Sequence, residues 1–276
     1  MRLVIQGPAL NQQHLQHIAS LSRGGNAIQL DEHAYYLPVA ARIDAVAAYC
    51  ESHQIDCAFV PDEQTLNSFG LMVMDMDSTL ISIECIDEIA DMQGLKPQVA
   101  AITESAMRGE IEFAESLRRR VALLEGLEES ALQRVYDERL RLNPGAEKLI
   151  ATLKNFNIKT MLVSGGFTFF TERLKPRVGL DFAHANTLEV SNGKLTGKVL
   201  GDILDAQAKA DFLTGARDQL GLRPEQVIAI GDGANDLKMM SVAGVGVAYH
   251  AKPVVRAQAT YAISHVGLDG VINLFS

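Results

Sequence analysis

The 276-residue sequence predicts an α/β protein: a doubly wound sheet interrupted by a helical insertion and preceded by a small α+β domain. Three observations lead there. Short apolar runs recur at Leu71–Met74, Thr160–Val163, Val227–Ile230 and Val245–Ala248 without the alternation of a half-exposed strand, as expected for strands buried on both faces. Segments of helical spacing separate them, near 167–176, 207–220 and 235–243, and strands alternating with helices build a doubly wound sheet. Residues 1–68 instead read strand, helix, strand, strand, helix, strand, the order of a small α+β sandwich.

In chain order, Leu3-Val4-Ile5 is a strand, followed by helical spacing over 11–22. Ala27–Leu30 and Ala34–Leu37 read as a strand pair across a short polar turn. Ile43, Val46, Ala47 and Cys50 mark a helix within 41–53, and Cys57–Val60 a closing strand. Residues 61–68 are polar and read as a linker. Residues 69–81 and 143–276 form the α/β core. Between them, 82–142 is helical in pattern with no strand signal. It leaves after the first core strand and returns at Asn143-Pro144-Gly145, where an insertion is placed to act as a lid. The sequence thus predicts that 1–68 is removable and leaves an active core.

Composition narrows the function. A net charge of -9 argues against a broad nucleic-acid surface. No apolar run approaches the roughly 20 residues of a membrane span, and the stretch after Met1 is too short for a signal peptide. Cys50, Cys57 and Cys85 lack metal-type spacing. Their odd number fits a reducing compartment, so a cytoplasmic protein is expected.

Four segments carry the chemistry: Asp75-Met76-Asp77-Ser78-Thr79, Ser164-Gly165-Gly166, Lys209, and Gly231-Asp232-Gly233-Ala234-Asn235-Asp236. Asp75, Ser164 and Asp232 each follow a strand, so all three are expected at one sheet edge. Asp75 and Asp77, two apart on extended chain, share a side; one carboxylate can attack phosphorus while the other handles the proton. Alone, the pair would equally suit turn or cap aspartates. Asp232 and Asp236 are oxygen ligands of the kind Mg²⁺ accepts, and that charge would offset the repulsion between carboxylate and phosphate. Ser164 and the following glycines, before a helix start, suit an anion.

Lys209 shares a helical stripe with Leu213, Ala216 and Leu220, an apolar face that should turn inward. Lysine is rarely buried unpaired, so it is expected to reach a buried anion, unless it snorkels. Arg120 breaks a similar stripe of Phe113, Leu117 and Leu124. Arg119 sits at i+4 from Glu115 and is expected in solvent, as is Arg118. Only Arg120 is expected inward, where its fork can grip a carboxylate. Glu84, where the insertion starts, suits either a helix's first turn or a substrate ammonium.

These segments resemble the haloacid dehalogenase (HAD) superfamily, through Asp75-x-Asp77-x-Thr79, Ser164, Lys209 and Gly231-Asp232-x-x-x-Asp236. Glu84–Glu88, Phe113–Val121 and Asp232–Asp236 extend the resemblance to the phosphoserine phosphatase family, over about residues 70–276. The resemblance implies a Rossmann-like core with a helical cap, and hydrolysis of O-phospho-L-serine to L-serine and phosphate, the last step of L-serine biosynthesis. It implies Asp75 as nucleophile, through an aspartyl-phosphate, and Asp77 as general acid and then base. It places Mg²⁺ on Asp75, the Asp77 backbone carbonyl and Asp232, with Asp236 and Thr79 supporting. Ser164, Gly165 and Lys209 would hold the phosphoryl group with Asn235 close by, Glu84 the ammonium and Arg120 the carboxylate. Such enzymes often carry an amino-terminal extension, sometimes ACT-like, and the ferredoxin-like order of 1–68 agrees. A homodimer is compatible with these features. The rivals are transfer of the phosphoryl group to another alcohol such as homoserine, a phosphatase for a different small phosphomonoester, and a binding protein with a silent core.

Overall fold

The computed structural model describes residues 1–276. The chain begins with β1 (Arg2–Gln6), α1 (Gln12–Ser22), β2 (Ile28–Asp31), β3 (Ala34–Leu37), α2 (Asp44–Ser52) and β4 (Asp56–Val60). Its strands form an antiparallel sheet ordered β2-β3-β1-β4. Every residue of β1 is buried because the sheet is covered on both faces. Leu3 and Ile5 pack with Ile18 of α1 and Val46 and Cys50 of α2. Val4, one residue out of phase, joins Ala58 and Val60 in the main core of the molecule, as the two-residue period of a strand requires.

The polar segment 61–68 is less free than its composition suggests. The Arg2 guanidinium donates to the carbonyls of Pro61, Asp62 and Gln64, and to that of Leu274 near the carboxyl terminus. The Leu66 amide donates to the Phe275 carbonyl, and Leu66 is buried. From β4, the Asp56 carboxylate accepts from the amides of Ser264 and His265 at 2.8 and 2.9 Å. Deleting 1–68 therefore strips an apolar face and several buried bonds from the rest. The expected result is a large fall in the thermal midpoint, or an insoluble product; a truncated protein that melts with the full chain would contradict it.

The second part runs β5 (Leu71–Met74), then α3 (Cys85–Asp91), α4 (Lys96–Met107), α5 (Phe113–Ala122) and α6 (Ser130–Arg134). It continues with α7 (Ala146–Asn155), β6 (Lys159–Phe167), α8 (Thr168–Leu174), β7 (Phe182–Ser191), β8 (Lys194–Leu200) and α9 (Ala206–Gln219). It ends with β9 (Val227–Gly231), α10 (Leu237–Val242), β10 (Val245–Tyr249), α11 (Pro253–Arg256), β11 (Tyr261–Ile263) and α12 (Gly270–Leu274). The sheet order is β11-β10-β9-β5-β6-β7-β8, parallel throughout except for β8. β5 lies between β9 and β6, where the strand order reverses, so a crevice opens at its carboxyl end.

The structure adds β7, β8 and β11 to the strands expected. β7 and β8 form a hairpin across Asn192-Gly193, whose φ angles of 52° and 76° are those of a tight hairpin turn. The hairpin reaches the insertion: amides of Gly126 and Glu129 donate to carbonyls of Leu195 and Gly193, and the Leu195 amide returns a bond to Leu127. The insertion's two ends are tied together where they leave the core. Asn143 Nδ2 donates to the carbonyls of Thr79 and Ile81, and the Ser82 amide to that of Arg141.

Candidate active site

Asp75 is the first residue after β5, and its amide donates to Ile230 of β9 at 3.0 Å. The registers pair Met74 with Leu162 of β6 and Ile230 of β9. Asp75, Ser164 and Asp232 therefore meet at one sheet edge, from three adjacent strands. Lys209, in the first turns of α9, is 1% exposed and sits between two carboxylates. Its ammonium is 2.8 Å from Asp75 Oδ1 and 2.7 Å from Asp236 Oδ1. Burial alone would lower its pKa, but Asp236 and Asp75 outweigh that and hold it above its ordinary value.

Asp75, Asp232 and Asp236 offer oxygens that all lie within 4.8 Å of one another. Asp75 Oδ1 also accepts from the Met76 amide at 2.7 Å, and Asp232 Oδ1 from Thr79 Oγ1 at 3.1 Å. Oδ2 of each is left without a protein partner, whereas both oxygens of Asp236 are engaged, Oδ2 by the Gly233 amide. A side chain at Gly231 would collide with the Asp236 carboxyl group, so glycine is required there. Three carboxylates face one ammonium, and burial together with that excess negative charge raises the proton affinity of two of them, Asp75 and Asp232. Burial, then Asp236, pushes Asp75 up to about 8 against the pull of Lys209. Burial, Asp236 and Glu84 raise Asp232 to about 6. A compact set of hard oxygen donors with unrelieved negative charge fits a hard divalent cation.

Asp77 stands apart from that trio. Its Oδ1 is buried without a partner, and burial, with the charges of Glu84 and Asp75, holds its pKa well above the ordinary value. Ser78 follows in the left-handed region at φ 57°, a strain for a non-glycine residue of the sort found at functional loops. Its hydroxyl donates to Glu84 Oε1 at 2.7 Å. Glu84 immediately precedes α3 and is open to solvent, and desolvation of its carboxyl raises its pKa against the opposing effects of Ser78 and Arg120.

On β6, Ser164 is buried and its Oγ accepts from the Gly166 amide at 2.9 Å. A Cβ at Gly166 would lie 3.1 Å from Asp77 Oδ2 and closer still to Met76. A Cβ at Gly165 would lie 3.1 Å from Phe113 Cζ, so the first residue of α5 roofs this loop. Asn235 lies beside Gly233, half-buried, on the turn after β9. The three arginines of α5 diverge. Arg119 pairs with Glu115 at 2.7 Å and Arg118 is exposed. Arg120 is half-buried and held only by Nε to the Ser116 carbonyl; burial lowers its pKa, with Asp87, Glu84 and Asp77 opposing. Its two terminal nitrogens have no partner within the protein.

Sequence spacing did not mark Phe113 as a wall of the site, although it lies on the same stripe as Arg120. Nor did it mark Asn143 and Asn186, which bond to residues 62 or more and about 20 positions away.

A model of the haloacid dehalogenase-like hydrolases matches residues 69–244. A phosphoserine phosphatase from Polaromonas sp. is 54% identical over 214 residues, 76% of this chain and 91% of that protein. The fold is similar to that of a probable phosphoserine phosphatase from Vibrio cholerae, solved unliganded. The TM-score is 0.87 at 38% identity, over 99% of this chain and 86% of that one. It is also similar to a substrate-bound phosphoserine phosphatase complex, with a TM-score of 0.71 at 38% identity over 75% of this chain and 99% of that one. Sequence shared along nine-tenths of a relative, over a core of matching fold, shows that this chain belongs to the phosphoserine phosphatase family of the haloacid dehalogenase-like hydrolases.

Proposed function

We propose that this protein hydrolyses O-phospho-L-serine to L-serine and phosphate, with Asp75 as nucleophile and Asp77 as proton carrier. One observation carries the reading: beside the Asp75, Asp77 and Lys209 cluster stand one acid and one guanidinium without ion pairs, Glu84, bonded to Ser78, and Arg120, bonded to Ser116 O. Those are the partners an amino-acid ester needs beyond its phosphate.

In the first half-reaction an Asp75 oxygen forms a bond to phosphorus as the bond from phosphorus to the serine oxygen breaks. Asp77, whose burial raises its pKa well above the ordinary carboxylate value and so favours the acid form, delivers its proton to that departing oxygen. In the second, the Asp77 carboxylate takes a proton from water as the water oxygen attacks phosphorus, and Asp75 is released. Lys209, the Ser164 hydroxyl and the Gly165 backbone amide hold the phosphoryl oxygens. Asn235 stands nearby. Glu84 receives the ammonium and Arg120 the carboxylate, while Phe113 keeps water from the roof of the site.

Asp75, Asp232 and the Asp77 backbone carbonyl would hold the cation, which we take to be Mg²⁺, with Asp236 and Thr79 fixing their positions. Bound there, it neutralises charge between carboxylate and phosphate. The raised proton affinities of Asp75, to about 8, and Asp232, to about 6, have a direct consequence. A cation must displace those protons, so its affinity should rise with pH between about 6 and 8, with proton release on binding. Titration calorimetry in buffers of different ionisation enthalpy measures both; affinity flat across that range would contradict the assignment.

The activity is tested by phosphate release from O-phospho-L-serine against a panel of phosphate esters, with Mg²⁺ and with EDTA. A metal-dependent preference for phosphoserine is expected. Turnover of other esters alone would discard the substrate, and faster transfer to an added alcohol than to water would make the protein a phosphotransferase.

A further inference from the structure

We propose that Asn186 is a positioning residue for phosphate binding: it locks the Gly165–Gly166 peptide in the orientation that turns its C=O away from the phosphoryl group and lets its N–H orient the Ser164 hydroxyl. The inference rests on the reading of Ser164, Gly165 and Lys209 as the phosphate site.

Asn186 lies on β7, outside every motif of the site, and is 2% exposed. Both ends of its amide are engaged across the sheet edge. Nδ2 donates to the Gly165 carbonyl at 2.8 Å, and Oδ1 accepts from the Leu204 amide at 2.7 Å. These two partners belong to the two elements that would grip phosphate. Gly165 is in the loop after Ser164. Leu204 precedes Asp205, which caps α9 by accepting from the Gln207 and Ala208 amides; Lys209 follows in that helix.

The Gly165 carbonyl and the Gly166 amide belong to one peptide plane and point in opposite directions. Holding the carbonyl toward β7 therefore fixes where the amide points, and here it donates to Ser164 Oγ at 2.9 Å. With that oxygen accepting, the Ser164 hydroxyl keeps its proton for a ligand. This peptide is unusually free to rotate, since glycine stands on both sides and no Cβ resists the turn. Rotated, it would aim a carbonyl oxygen at an anion and withdraw the bond that orients Ser164. The side chain that prevents this must both donate to Gly165 and accept from Leu204, and a primary amide does both. Asn186 is thus the strut between the serine loop and the lysine helix.

The test is Asn186→Asp, nearly isosteric, which still accepts from Leu204 but as a carboxylate has no N–H for Gly165. Asn186→Ala, which removes both bonds, is its companion. Each is measured in the metal-loaded full chain for the inhibition constant of inorganic phosphate, for kcat and KM with phosphoserine, for metal affinity and for thermal midpoint. Expected is a rise of at least tenfold in the phosphate inhibition constant and in KM, with metal affinity within twofold of the parent. Phosphate inhibition within threefold of the parent in either folded variant overturns the proposal. So does a loss of metal affinity matching the loss of phosphate affinity, or failure of both variants to fold, since each makes Asn186 a support of the whole fold. A parent that neither binds phosphate nor hydrolyses phosphate esters would instead sink the functional reading itself.

Discussion

Asp75→Asn is expected to lower phosphoserine turnover by about a thousandfold or more while leaving a folded protein. The amide cannot attack phosphorus, so the effect belongs in kcat, and a thousandfold loss corresponds to about 4 kcal/mol of transition-state stabilisation. The same substitution should stabilise the metal-free protein, which separates it from simple damage. In the folded chain the Asp75 carboxyl binds its proton more tightly than in the unfolded chain, up to about 8 against an ordinary 3.8. A group raised in this way contributes stability in full below its unfolded pKa and loses it as pH rises through the folded one. Metal-free parent protein should therefore lose stability between about pH 4 and pH 8, and Asp75→Asn should not share that part of the loss. Lys209 keeps an ion pair in the variant, because Asp236 Oδ1 remains 2.7 Å from its ammonium. Thermal midpoints of both proteins in EDTA at pH 5 and pH 8 decide the matter. A gap that does not widen with pH, or turnover that survives, overturns the role given to Asp75.

What the sequence shows of this fold and site depends on whether the cause is local. β5, β9 and β10 are legible because strands buried on both faces need continuous apolar runs, and each run stands out against helical neighbours. β7 hides because one of its ends is half-exposed and its pattern mixes Thr, Glu and His among apolar residues. Its signal is the Asn192-Gly193 turn rather than the strand. β11, three residues long, is too short to carry a period. Segment 61–68 is polar in composition, yet Arg2 and Phe275, far away in sequence, pin it. The same rule sorts the site residues. Lys209 and Arg120 can be found because each puts charge on an apolar helical stripe. Asn186 is one polar residue in a strand, and its meaning lies in partners on two other elements. Phe113 looks like any core aromatic until the fold sets it above Gly165.

Arg120→Ala should raise KM for phosphoserine by about 30-fold to a few thousandfold, and far less for a phosphate ester without a carboxylate. Losing one partner of a buried, hydrogen-bonded charge pair costs about 2–5 kcal/mol, and each 1.4 kcal/mol is tenfold. The contrast between substrates matters more than either number. Arg120 makes one weak bond inside the protein, at 3.4 Å to Ser116 O, and no ion pair. Its removal therefore strands no protein carboxylate that depended on it, and the fold should tolerate the change. Burial lowers the Arg120 pKa and Asp87, Glu84 and Asp77 only partly oppose it, so the guanidinium lacks a full counter-charge of its own, which a substrate carboxylate would supply. Arg120→Lys should rescue little, because an ammonium offers no planar fork to a carboxylate. Arg119→Ala is the matched control, since Arg119 pairs with Glu115 in solvent and such pairs contribute little. Equal losses on both substrates would make Arg120 a structural residue. An effect confined to the carboxylate-bearing ester would tie the selectivity of the cleft to a single side chain on the helical insertion.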